Sequence, residues 1–353
     1  MAASSKDKKS VADVIIDRFL KDVDEKGAMP WQRPYERYNA FNYFSMVPYR
    51  GINRLMLPFG EYMTKNQILQ FNKSKGYIKV DSSGKIVEVT PEAYKFQKGI
   101  LWYPVVFFKK EVKSITKEKA EEDLEITISL TENKYVGRAY GYSYYVRQGK
   151  VYKERSILRY YDVADRKFFR NDRGECPPSR LETGEMQLSY SNPKVVFDNY
   201  VKREGIKLIT DHADVPCYSP IFDEIRLNPY VKSEEAWYAI AFHEAGHSTG
   251  AANRLNREGV AHLDRSDVDK YAKEECIAEI CSCLCCAETG ISQYETSGTQ
   301  EYDNSIAYVQ SWKQRVKDWG KEFIYIVSQA DKAFNYICDN PDSIIPESET
   351  GNE

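Results

Sequence analysis

The segment YAIAFHEAGHSTGAANRLNR, residues 238–257, constrains the fold more than any other stretch. It holds His243, Glu244 and His247 in the order His-Glu-x-x-His, and two of the chain's four histidines are in it. Side chains four apart on a helix lie on one face, so a helix brings both rings to one point. The flanks predict that helix: Ser233 for the N-cap, Glu234 and Glu235 in the first turn, and Gly250 at the end. Glu244, beside the first ring, is placed to act as a base toward water without ligating an ion itself. Catalytic zinc takes three protein ligands and keeps one position open, so a third donor has to come from elsewhere.

YAKEECIAEI, residues 271–280, supplies the candidate. Glu275, on a second expected helix, is the third ligand. Glu279, four residues on and so on the same face, accepts the other ring N–H of a histidine. Glu274 is read as solvated. His262 is the rival ligand, in a Gly/Asp-bearing loop, and His212 is read as a loop residue. Zinc, or another divalent ion such as manganese, suits a His2Glu set. Cys281, Cys283, Cys285 and Cys286 lack the paired spacing of a structural zinc site and read as small buried hydrophobes.

The remaining chain needs composition to interpret. A formal charge of −3 conceals a split: residues 1–160 hold 29 Lys+Arg against 19 Asp+Glu, and residues 161–353 hold 21 against 34. That asymmetry predicts two domains with different partners. The expected fold class is α+β. A small mixed α/β domain over 1–165 precedes a linker over 166–190, whose RNDRGECPPSRLETGE is polar and Pro/Gly-bearing. A metal-binding domain follows over 191–340, and an acidic disordered tail over 341–353. The charge-rich residues 114–134 read as a mobile insertion. No apolar run is long enough to span a membrane, the N-terminus lacks a secretory h-region, and the cysteine pattern fits a reducing cytoplasm.

Single strands are held by stacking bases on aromatic rings while cations follow the phosphates. Trp31, Arg33, Tyr35, Tyr49, Arg50 and Asn53 offer that mixture in a short span. Lys65, Lys98 and Lys109, with Lys110, extend the electrostatic track. The competing reading is an aromatic core beneath a solvated lysine surface.

In its ordered motifs the chain resembles the ArdC-type antirestriction proteins. The motifs are PWQRPY, PYRGIN and MTKNQI in the basic half, then CYSPIFDEIRLNP, AFHEAGHSTGAANRLNR, YAKEECIAEI and VQSWKQRV. The resemblance implies an N-terminal single-stranded-DNA-binding domain joined to a zincin-like metallopeptidase domain, carried by mobile elements and protecting incoming DNA from restriction. It implies metal ligands at His243, His247 and Glu275, Glu244 as base, and IRLN as the sheet-edge strand beside the metal cleft. It departs at Gly246, where the family more often has a bulky residue, and in segments 81–94 and 114–134, which look inserted. Single-stranded DNA is thus the expected partner, with a protein substrate beside it. Two alternatives stand next to this reading: a DNA-coating protein whose metal is structural, and a metalloprotease that uses DNA only as a tether.

Overall fold

The computed structural model describes residues 9–32, 40–181, 191–211, 215–231, 233–261, 267–291 and 302–338. Arg33, Tyr35, His212, His262 and the acidic tail therefore lie outside the described residues. Those described within Met1–Val105 and Asp162–Ser343 make one compact unit, and Val106–Tyr161 make a second.

In the first unit, α1 (Val11–Lys26) starts at a capping box. The Ser10 hydroxyl accepts from the Asp13 N–H, the Asp13 carboxylate accepts from the Ser10 N–H, and Gly27 closes the helix in the left-handed region. Next come a 3-10 turn (Pro30–Gln32), β1 (Ala40–Asn42), α2 (Ile52–Met56), β2 (Gly60–Met63) and α3 (Lys65–Ser74). Thr64 and Gln67 form a second capping box at α3. A hairpin turning at Ser83-Gly84 is formed by β3 (Ile78–Val80) with β4 (Ile86–Val89), followed by β5 (Lys95–Phe96).

The second unit is β6 (Tyr103–Ile115), α4 (Lys117–Leu124), β7 (Lys134–Ala139), β8 (Tyr142–Arg147) and β9 (Lys150–Asp165), the long strands β6 and β9 each having one end in the first unit. Strands β7, β8 and β9 pair antiparallel, and β6 pairs with β9. The segment 114–134 is not a mobile insertion. Thr116 caps α4, and Ala120 and Ile128 are fully buried against Tyr144, Val146 and Val151. Apart from Asp123, whose side chain is buried and accepts from the Tyr144 hydroxyl at 2.8 Å, its charges lie away from the core contact that Ala120 makes.

Back in the first unit, β10 (Phe169–Arg170) pairs with β5, and α5 (Pro193–Glu204) follows. A three-stranded sheet is built from β11 (Lys207–Ile209), β12 (Cys217–Ser219) and β13 (Glu224–Arg226). Helices α6 (Glu234–Ser248), α7 (Glu258–Ala261), α8 (Val268–Thr289), α9 (Tyr302–Trp319) and α10 (Lys321–Ile337) complete the chain. In this sheet β13 lies between β11 and β12. IRLN is therefore central, not the edge: β11 and β12 take the two edges.

Composition read 166–190 as a linker; 182–190 lie outside the described residues, but 166–180 are packed. The buried Glu61 carboxylate accepts from Arg166 Nε at 2.6 Å, Ser179 Oγ at 2.7 Å and the Arg180 N–H at 2.7 Å. Residues 166–180 are thus fixed by one acid whose desolvation requires those three donors. The expected domain boundary at 165 does not divide the compact units either. Trp31 rings meet Phe19, Trp312 and Phe323 at centroid distances of 6.0–6.3 Å. Arg54 of α2 pairs with Asp331 of α10 at 3.1 Å, both buried. The basic N-terminal residues and the late helices share one core.

Helices α6 and α8 pack closely, and Gly246 is the reason. A Cβ added there would lie 3.2 Å from Ala278 Cα and 3.4 Å from the Ala278 carbonyl oxygen. The helix-weakening glycine lets two backbones approach. Gly246→Val is expected to cost about 1–3 kcal/mol by overpacking, measured by urea denaturation, and to weaken metal binding by spreading the two helices.

Candidate metal centre

The close α6–α8 crossing brings the histidines of one helix against the acids of the other. His243 Nε2 and His247 Nε2 lie 3.2 Å apart. Glu275 faces both, with Oε2 at 3.5 Å from His243 Nε2 and Oε1 at 3.6 Å from His247 Nε2. One donor atom from each of the three residues falls within 4.8 Å of the others. Two imidazole nitrogens and a carboxylate converging from two helices are a donor set that fits a borderline divalent ion.

The outer ring nitrogens are also provided for. His243 Nδ1 faces Glu279 Oε2 at 3.6 Å, and His247 Nδ1 meets Glu274 Oε1 at 3.3 Å. A carboxylate at Nδ1 holds the proton there and turns the Nε2 lone pair toward the shared point. Glu274 is not solvated as its sequence suggests. Its side chain is 6% exposed, and Arg257, 5% exposed, clamps it with Nε to Oε2 at 2.9 Å and Nη2 to Oε1 at 2.6 Å. Burial would raise the Glu274 carboxyl, but Arg257 holds it below the usual carboxylate value. The signal available in the sequence was in α8: apolar residues and cysteines recur around the whole of 272–287, which leaves little solvent face for an acid such as Glu274.

NRLNR explains itself in the same way. Beyond Glu274, Arg257 donates to the Gly246 carbonyl at 2.8 Å and to Thr249 Oγ1 at 2.6 Å. Arg254 donates to the Ser248 carbonyl at 3.0 Å and pairs with Asp223 and Glu204. Both arginines fold back on the carbonyls that end α6, which have no partner inside the helix. They fix the turn carrying His247.

Electrostatics follow from this crowding. Burial pushes the His243 imidazole down, yet Glu275 and Glu279 outweigh it and raise its pKa to about 10. Burial works against the Glu275 carboxylate too, but His243, His247 and Tyr271 hold it at about 2. Glu244 is buried, and burial raises its carboxyl despite the two histidines and a bond from the Tyr218 N–H. A cleft of about 570 Å3 opens over these groups, lined on one side by Cys217 and Tyr218 of β12 and on the other by Val260 and Tyr271.

The described residues singled out for DNA differ in exposure. Trp31 is 1% exposed, and Tyr49 and Asn53 are 8% exposed, which removes their faces from stacking. Arg50 is half-buried, and Lys65, Lys98 and Lys109 are exposed. Lys65 lies over the Phe96 and Trp102 rings at 5.6 and 5.0 Å. The four clustered cysteines are buried, as read.

Residues 196–329 match the sequence model of the zincin-like metallopeptidase family. Across the whole chain, the crystal structure of the ArdC antirestriction protein from the R388 plasmid, in its metal-free form, superposes with a TM-score of 0.57, covering 94% of this chain and 98% of that one at 22% identity. The chain has the ArdC fold. The Mn(II)-bound structure of the same protein superposes at 0.53 with 23% identity and the same coverage. A DNA primase TraC of Escherichia coli is 25% identical over 337 residues, which is 94% of this chain and 20% of that relative's length. The chain thus spans about a fifth of that curated relative. Within the ArdC fold, the His-Glu-x-x-His helix and the Glu275 helix both fall inside the zincin-like region.

Proposed function

We propose that this chain is a mobile-element antirestriction-type protein that binds single-stranded DNA and carries a gluzincin-type peptidase site using zinc or manganese. The convergence of His243, His247 and Glu275 within 4.8 Å carries the metal reading. Three donors beneath an open cleft match a catalytic rather than a closed structural site. A divalent ion held there would polarise a peptide carbonyl and acidify a water. Glu244, with its carboxyl raised by burial, sits where it can take a proton from that water and pass it to the leaving amine. The edge strand β12, whose Tyr218 N–H holds Glu244, offers backbone groups to an extended peptide. This role falls to CYS, not IRLN.

The DNA reading is supported by the basic N-terminal half and by the relatives, an antirestriction protein of a plasmid and a DNA primase. None of the eight cysteines is joined in a disulfide, which fits a cytoplasmic setting. Among the described residues no helix is long and apolar enough to cross a membrane.

Glu244→Gln tests the peptidase reading, because it keeps the shape and removes the base. Hydrolysis of an unfolded protein substrate is expected to fall by about 10^2–10^4-fold with metal content unchanged. Wild-type protein that hydrolyses nothing when metal-loaded, or a variant as active as wild type, would overturn it. Antirestriction that survives Glu244→Gln would remove peptide cleavage from the protective mechanism.

A further inference from the structure

The buried positions of Trp31, Tyr49 and Asn53 leave the DNA-binding reading without a stacking surface among the described residues of that set. The unit Val106–Tyr161 has one. Its sheet is covered on one face by α4 and the buried Ile128, which pack on Tyr144, Val146 and Val151. Strand residues alternate between faces, so Tyr145 and its direct partners point the other way. Tyr135 pairs with Tyr145, and Tyr145 with Tyr152. Three tyrosines thus form a row across three adjacent strands. Tyr135 is 54% exposed, and its ring meets the Tyr145 ring at 5.3 Å.

Cations flank the row. Arg147 and Lys150 pair with each other at one end, and Arg138 shares the register of Ser143 and Glu154 at the other. The Arg147 guanidinium lies over the Tyr145 ring at 4.9 Å. The acid among them, Glu154, is buried and holds Arg147 at 3.2 Å and Lys110 at 2.9 Å, orienting both beside the rings. The unit has 12 Lys+Arg against 8 Asp+Glu, and five of those acids (Glu118, Glu121, Glu122, Asp123 and Glu125) belong to α4 or its C-cap on the covered side. The segregation leaves a basic aromatic face opposite an acidic helix.

We propose that this open face is the platform on which single-stranded DNA stacks, with Tyr135, Tyr145 and Tyr152 receiving bases and Arg138, Arg147 and Lys150 following the phosphates. The assignment rests on the DNA-binding reading above and moves its contacts out of the N-terminal motifs. A sheet with two or three aromatic residues on an uncovered face suits unstacked bases, and a row with cations on both sides suits a strand rather than a duplex.

The test is fluorescence anisotropy of a labelled dT20 with the full chain at low salt. Wild type is expected to bind. The triple variant Tyr135→Ala, Tyr145→Ala, Tyr152→Ala is expected to bind more than about tenfold more weakly, and the corresponding triple Phe variant to within about twofold of wild type, since stacking needs the ring and not the hydroxyl. Arg147→Ala with Lys150→Ala is expected to lower the slope of log affinity against log salt by roughly 1.4, or about 0.7 for each phosphate no longer neutralised. A folded triple Ala variant with wild-type affinity would overturn the platform while leaving the DNA-binding reading in place. Wild type that fails to bind dT20 would overturn both.

Discussion

Arg257→Ala is expected to destabilise the protein by about 3–5 kcal/mol, the cost of leaving a buried acid without its cation. Glu274 would keep its burial and lose both guanidinium bonds, at 2.9 and 2.6 Å. The Gly246 carbonyl at the end of α6 would lose one of its two side-chain donors and keep the Thr249 hydroxyl. A second consequence separates this arginine from an ordinary core residue. Glu274 orients His247 at 3.3 Å, so a released Glu274 no longer fixes the ring. Disturbing such an outer partner typically weakens a metal site by about 10–100-fold. Urea denaturation reads the first effect and metal titration the second. Arg257→Lys restores the charge but not the fork, and is expected to recover part of the stability and little of the metal affinity. A variant with wild-type stability and affinity would show that the Glu274–Arg257 pair does not support the site.

The convergence of the two histidines and Glu275 was legible because its signals are local. Four-residue spacing puts His243 and His247 together, and the same rule places Glu275 and Glu279 on one face of the next helix. The cap at Ser233 could be read for the same reason: it is one side chain bonding one turn of backbone. What failed were inferences from composition. Aromatic residues among cations describe a stacking surface and a cation-rimmed core equally well, and Trp31 belongs to the core between α1, α9 and α10. Polar, Pro- and Gly-bearing text reads as a linker until a distant acid, Glu61, is seen to need its donors. Glu274 read as solvated because its partner Arg257 lies 17 residues earlier, beyond any helical period. The strand order that makes β12 an edge and β13 central is a tertiary fact that no short stretch carries. The tyrosine row likewise depends on the register of three strands, which alternation alone does not set.

The second large effect is expected at Glu275, the donor that separates a metal centre from a helix with two histidines. Its carboxylate faces both Nε2 atoms at 3.5 and 3.6 Å, and Glu275→Ala removes that donor while keeping a helix-favouring residue in α8. The drop in affinity should exceed the roughly 10–100-fold typical of an outer partner. His262→Ala, by contrast, should leave affinity unchanged. The deciding measurement is calorimetric titration of zinc and of manganese into the metal-stripped wild type, Glu275→Ala and His262→Ala. One ion per wild-type chain, lost in Glu275→Ala and kept in His262→Ala, is the predicted result. Unchanged stoichiometry and affinity in Glu275→Ala, or loss in His262→Ala, would contradict a centre built on His243, His247 and Glu275.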